Sequence, residues 1–302
     1  MKIILGLTWI CSFYIAFIFR NNLNFASYED VYLQRSSTEG IGTDVFTGYL
    51  STWLANVMIP ICAAYGLFAK KKWYFIASIS GALICYMSKA DKSIFLFPVF
   101  ILALYYFLKN SNLKNSFSSI GIALSSIMTF TLVVPTNIFF IAIFWMRTLG
   151  TGGILTNFYQ KFFMDHPLTY YSHVRIINAI TGAYPYGDLA VGQVVGKEYW
   201  SDDMNANANF WAIDGIASLG EAGIIIASLL LFCIFLLFNR ICAGYNKLFI
   251  ICILIPYITI LLNQSLFSSL VTGGGFWILI ILLFKSTINN PYINENFNHN
   301  RS

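Results

Sequence analysis

The strongest constraint in this sequence is its uninterrupted apolar runs. Residues 3–19, 47–68 and 222–238 contain no charged side chain, and a helix rising about 1.5 Å per residue needs about 20 such residues to cross the hydrocarbon of a bilayer. The whole chain is 58% hydrophobic and 10% charged, with a mean hydropathy of +0.68. Soluble domains carry about 25% charge, and a chain this apolar has too little polar surface to cover one large core. An all-α polytopic membrane protein is expected, with about eight transmembrane helices and one large extracytoplasmic loop.

The eight expected spans are residues 3–19, 47–68, 73–88, 94–108, 117–134, 222–238, 248–262 and 268–284. Pro135 and Asn137 break the fifth before a second apolar piece at 138–145. The first run follows Lys2 and could pass for a signal peptide, but no clear small-residue cleavage site precedes Arg20, so it reads as a retained span. Lys2, the triple Lys70-Lys71-Lys72, Lys109 with Lys114, Arg240 with Lys247, and Lys285 all fall on one side when crossings alternate. By the positive-inside rule that side is cytoplasmic. Both termini are then inside, and the long loop at 144–211 faces outward.

No internal repeat is visible, and the chain reads as one membrane domain over residues 1–302. The net charge of +5 is small and split into short clusters, so no nucleic acid is expected. The cysteines lie in or beside apolar runs with no CxxC pair, which argues against a disulfide framework or a thiolate metal site.

Outside the spans, titratable groups gather in the long loop: Arg147, Lys161, Asp165, His166, His173, Arg175, Asp188, Lys197, Glu198, Asp202 and Asp203. Two of the three histidines are there. Proton transfer and anion binding need groups that bare hydrocarbon would neutralise, so chemistry is expected in this segment. Pro167 behind Asp165 and His166 has the form of a helix start. The spacing predicts a helix that carries His173 on one face with Thr169, Tyr170 and Ile177 and ends at Gly182. A histidine here can serve as a general base, and Arg147 or Arg175 can clamp a diphosphate through the guanidinium fork. The alternative is that these are interfacial residues with their polar heads at the headgroup level. No third ligand stands at metal spacing beside the two histidines, so no metal is expected.

Three further features bear on function. Lys89 and Lys92 sit on an outer hairpin against the positive-inside rule, either to meet an anionic substrate or as snorkelling side chains. Asn205 to Gly215 carries Asn207, Asn209, Trp211 and Asp214 just before the sixth span. Amides and a flat ring suit a sugar surface, whereas capping asparagines and an aromatic-belt tryptophan are the structural alternative. Gly273-Gly274-Gly275 has no strand before it and no Lys-Ser/Thr after it, so it suits close helix packing rather than a phosphate loop.

Four pieces together resemble the bacterial oligosaccharide repeat-unit polymerases, the O-antigen polymerases of the Wzy type. They are Lys92-Ser93 with Pro98, Phe144-Trp145-Met146-Arg147, Phe162-Phe163-Met164-Asp165-His166-Pro167 through Ser172-His173, and Asn207 through Gly215 with Gly220 and Gly223. The resemblance implies a GT-C-like helical bundle in the cell inner membrane and a periplasm-facing glycosyltransferase that needs no metal or cofactor. Its substrate would be an undecaprenyl-diphosphate-linked oligosaccharide within membrane lipid, with a chain-length regulator protein and a flippase as partners. Members usually carry more helices, so this chain either lacks N-terminal spans or is a short member.

Such a reaction needs cations for the leaving diphosphate, with Arg147 first and Arg175, Lys89 and Lys92 behind it. It also needs a base, His166 or His173, with His173 ahead because a base two turns inside a helix is better held; Asp214 stands third. Asn207, Asn209 and Trp211 would position sugar. The related ligase that moves finished glycan onto lipid A core, and a flippase or other transporter, are the alternatives.

Overall fold

The long apolar runs that the structure describes are helical. The computed structural model describes residues 1–25, 31–38, 40–42, 44–109, 150–202 and 204–284, with isolated positions 118, 121, 122, 125, 126, 129 and 146. Among these the order is α1 (Lys2–Ile18), α2 (Val31–Thr38), α3 (Val45–Trp53), a π-helical turn (Leu54–Met58), α4 (Ile59–Phe68), α5 (Lys72–Lys89), α6 (Lys92–Leu108), α7 (Thr151–Asp165), α8 (Arg175–Thr181), α9 (Val191–Tyr199), a second π-helical turn (Trp211–Ile216), α10 (Ala217–Leu219), α11 (Glu221–Cys242), α12 (Lys247–Ile260), α13 (Leu266–Val271) and α14 (Gly275–Leu283), and no strand. The all-α class is therefore shown. Two helices are long and apolar enough to cross a membrane, the continuous Val45–Phe68 of 24 residues and α11 of 22 residues. α1, α6 and α12 are apolar but shorter.

The long second helix runs straight through a proline. Pro60 has no N–H to give Asn56, and its ring would crowd that carbonyl. The π turn over Leu54–Met58 widens the helix there and absorbs the misfit. The expected eighth span is not one helix. It divides into α13 and α14 at residues 272–274, where Gly274 adopts φ +91°, a conformation that only glycine takes cheaply. The glycines nonetheless pack closely: a Cβ on Gly274 would lie 2.3 Å from Val57 Cγ2, and one on Gly275 2.5 Å from the Tyr257 ring. The expected fifth span lies mostly outside the described residues.

The chain forms two units. One gathers α1 to α6, the Phe238–Ile258 stretch and α14. Its core packs Cys11 and Ile15 of α1, and Phe19 just after it, with Leu54, Ile59, Ala82 and Cys85. Small polar groups join the helices inside it, with the Thr8 hydroxyl 3.3 Å from Cys62 Sγ and the Ser78 hydroxyl donating to the Ile59 carbonyl at 2.8 Å. Outward, α1 shows Ile3, Ile10, Phe13 and Phe17 to its surroundings. Apolar outside with small and polar residues between helices is the pattern of packing in lipid.

The second unit contains α7 to α10, α11 as far as Leu237, and Thr259–Ser269. Here the long loop has a core of its own: Leu155, Tyr159, Phe162 and Phe163 of α7 pack on Val191 and Val195 of α9 and on Ala212, Ile213 and Ile216. The segment after α9 lies close on that helix, where a Cβ on Gly196 would fall 2.1 Å from the Met204 carbonyl oxygen. Ala206 N donates to the Gly192 carbonyl at 2.8 Å, and the buried Tyr159 hydroxyl donates to the Ala206 carbonyl at 3.1 Å.

One expectation about this loop is overturned. Asp165-His166-Pro167 ends a helix instead of starting one: α7 stops at Asp165, and His166 is extended at φ −120°, ψ 155°. A proline disfavours the α region for the residue before it, so His166 cannot continue the turn. Tyr170 and Tyr171 then take left-handed φ values of 47° and 61°. His173 thus lies in an irregular turn before α8 rather than two turns inside a helix. Gly182 does end α8, at φ 59°.

Candidate functional site

The two histidines of this loop are held in different ways. At the end of α7 the His166 ring stacks on Phe162, with centroids 3.9 Å apart and planes within 6°. Its Nδ1 lies 2.9 Å from the Phe162 carbonyl oxygen. A carbonyl only accepts, so Nδ1 carries the proton and Nε2 holds the lone pair. His166 is exposed, and no described residue bonds Nε2. Beside it the Tyr186 hydroxyl donates to the Pro167 carbonyl at 2.5 Å, and the Tyr186 ring stands 5.8 Å from Phe162. Tyr184 lies 5.7 Å further on, and burial pushes its phenol up to about 12, so it remains a neutral donor, here to the Leu189 carbonyl.

His173 is committed on both sides. Nε2 lies 3.0 Å from Asp214 Oδ1, and Nδ1 lies 3.2 Å from Thr169 Oγ1. The Thr169 hydroxyl proton goes to the Ala217 carbonyl at 3.0 Å, which leaves its oxygen to accept from Nδ1. Asp214, in the second π turn, is wholly buried. Its carboxylate also receives the Ser265 hydroxyl at 2.7 Å and the Leu266 amide at 2.5 Å. A buried carboxylate is tolerated when donors surround it this completely. The turn itself is pinned to the chain behind Asp214 through Thr169 N to the Ala217 carbonyl at 2.8 Å and Tyr170 N to the Ser218 carbonyl at 3.1 Å. Beside the pair, the Tyr171 hydroxyl is buried and has no hydrogen-bond partner among the described residues. Burial and the nearby Asp214 carboxylate raise its phenol above the ordinary value.

Of the other expected site residues, Asn209 behaves as a cap: its Oδ1 accepts from Ala212 N at 3.0 Å, and its Nδ2 donates to Thr156 Oγ1 at 3.1 Å. Trp211 is partly exposed and donates through Nε1 to Ser228 Oγ at 2.9 Å. Asn207 and Arg175 are exposed. Arg147 lies outside the described residues.

Lys89 and Lys92 belong to the other unit, at the α5–α6 corner, where Ala90 has φ 52° and Asp91 caps α6. Lys89 donates to Ser51 Oγ at 3.0 Å and lies over the Phe19 ring. The structure therefore brings His166, His173, Asp214, Arg175, Asn207, Asn209 and Trp211 into one unit. Ser265 and the Leu266 amide are the residues that sequence reasoning missed; Thr169 was expected beside His173 and lies there, across a turn rather than along a helix face. The only trace of Ser265 was a polar break, Asn263-Gln264-Ser265, between two apolar runs.

Among the described residues no group of three or more His, Cys, Asp or Glu side chains could hold a metal ion. Comparisons with protein-family models, with characterised proteins and with solved structures yield no match for this chain.

Proposed function

We propose that this protein is a multi-pass enzyme of the inner membrane that joins undecaprenyl-diphosphate-linked oligosaccharide repeat units into O-antigen or capsular polysaccharide at the periplasmic face. The observation that carries the reading is His166: an exposed imidazole with its tautomer set by a carbonyl, its plane set by an aromatic ring and its lone pair free. That is how a general base is prepared. The earlier preference for His173 reverses, because a histidine with both nitrogens engaged has no free site for a substrate proton. His173 and Asp214 instead lock the turn behind His166.

In the proposed step, a sugar hydroxyl of one lipid-linked unit gives its proton to His166 Nε2. Its oxygen attacks the anomeric carbon of the growing chain from the opposite face. The anomeric C–O bond to the diphosphate breaks, its electron pair leaves with undecaprenyl diphosphate, and the configuration inverts. The departing charge calls for cations, for which Arg147 and Arg175 remain the candidates, with Lys89 and Lys92 behind them. Asn207 and Trp211 are candidates for the sugar. The Val45–Phe68 helix and α11, both long and apolar enough to cross a membrane, support two of the spans. The remaining six spans, the cytoplasmic termini, and a chain-length regulator and flippase as partners belong to the same reading.

A flippase would line a cavity with charges from several helices, whereas Asp214 alone among the described charged side chains is buried. The ligase reading shares this geometry and differs in its acceptor. The test is the glycan ladder of cells lacking the gene, complemented with the intact protein, His166→Ala or Arg147→Ala. Restoration of the ladder by the intact protein and a loss of about 100-fold or more in polymer with His166→Ala are expected. If deletion removes even the first repeat, the polymerase reading fails. If His166→Ala polymerises normally, the base assignment fails.

A further inference from the structure

The second unit carries a helix that its own core does not use. None of the residues of α8 is buried. Ile176 and Ile180, four apart and so on one face, are 67% and 81% exposed. The opposite face does the structural work, with Asn178 Oδ1 accepting from Tyr184 N at 3.2 Å. The exposed isoleucines, with Arg175 at the first position of the helix, where the dipole disfavours a cation, give α8 an apolar face with a basic edge.

The position of this helix in the unit bears on that face. Tyr170, 67% exposed, bonds through its amide to Ser218, three residues before α11 begins at Glu221. Val174, which precedes α8, bonds in turn to the Tyr171 carbonyl at 3.0 Å. Tyr170 therefore lies beside the segment that leads into α11, and α8 begins five residues after it. α11 is the most apolar of the long helices, and its Ile225, Leu229 and Phe232 are exposed. On the reading of α11 as a membrane span, its N-terminus is the height of the lipid headgroups.

We propose that α8 is an interfacial anchor. Ile176 and Ile180 insert between headgroups, Tyr170 lies in the same layer with its hydroxyl to water, and Arg175 meets lipid phosphate. A short amphipathic element with a basic residue and an aromatic one is what a headgroup layer binds. The consequence is positional: the His166 turn is held at the membrane surface, where the diphosphate of a lipid-linked substrate lies.

The proposal rests on the membrane reading of α11, and one experiment separates the two. The full chain is placed in nanodiscs of phosphatidylethanolamine and phosphatidylglycerol with Cys233→Ser and Cys242→Ser. A polarity-sensitive fluorophore is attached at Ile180→Cys or, separately, at Leu229→Cys. Lipids with a nitroxide at the headgroup or at the chain end report depth. The expected result is several-fold stronger quenching of the position-180 label by the headgroup nitroxide, and of the position-229 label by the chain-end nitroxide. Arg175→Glu should weaken the first in phosphatidylglycerol-rich discs. Quenching at 229 without quenching at 180 overturns the anchor and leaves the span standing. No quenching at either position overturns both.

Discussion

At the residue scale, Asp214 is the group on which most depends. Three donors from two separate segments converge on it: His173 in the turn before α8, and the Ser265 hydroxyl with the adjacent Leu266 amide. Removing the carboxylate leaves those donors buried without an acceptor. Asp214→Ala is expected to destabilise the protein by about 3 kcal/mol or more, read as a lowered thermal midpoint of the full chain in detergent. Asp214→Asn, which keeps an acceptor, should cost clearly less. If instead Asp214→Ala kept its midpoint but abolished the glycan ladder, Asp214 would be a catalytic group and the role assigned to His166 would have to be shared. The sequence put Asp214 and both histidines on the candidate roster by residue type alone. It ranked His173 first on the strength of a helix, whereas the ranking depends on which ring nitrogen finds a partner. That is decided by a carbonyl four residues back for His166 and by a residue 41 positions away for His173.

At the scale of elements, glycines and caps decide how closely segments approach. Gly196 leaves room for the Met204 backbone against α9, and backbone cannot swing aside as a flexible side chain can. Gly196→Ala should therefore cost about 1–3 kcal/mol, measured as the same midpoint shift, while Gly152→Ala, where a Cβ meets nothing, should not. Asp44 caps α3 by accepting from Thr47 N at 2.9 Å, and that bond holds its carboxyl below the ordinary value of 3.8. A group whose folded value is lowered contributes above its unfolded value and loses that contribution as pH falls through the folded one. The cap should then weaken only below about pH 4. Asp44→Asn, which caps without titrating, should flatten that limb of an acid-stability profile. Helix positions were legible because apolar runs and helices share a length scale. The α7 end was misread because proline is permitted at a helix start and also forbids helix at the residue before it; only the surrounding core, which needed Phe162 and Phe163 inside, selected the second.

For the whole molecule, the sequence by itself determined the class. Runs without charge and an excess of Phe, Ile and Leu favour helices, which satisfy their own backbone polar groups, and two of these helices are long and apolar enough to cross a membrane. α11 at about 1.5 Å per residue is about 33 Å long, enough for the hydrocarbon. The topology is checked by a thiol label at Asn205→Cys, an exposed position in the long loop, which should react only from the outer face; reaction only from inside would reverse it. What tertiary structure alone decided is the site. The stretch that looked like a polar loop closes on its own core, and that core brings Thr169, His173, Asp214, Ser265 and Leu266 into one hydrogen-bonded constellation. Periodicity reports the environment of each segment, lipid or core, because that depends on neighbours along one helix. Convergence of segments nearly a hundred residues apart depends on packing, and packing leaves no local trace in the sequence.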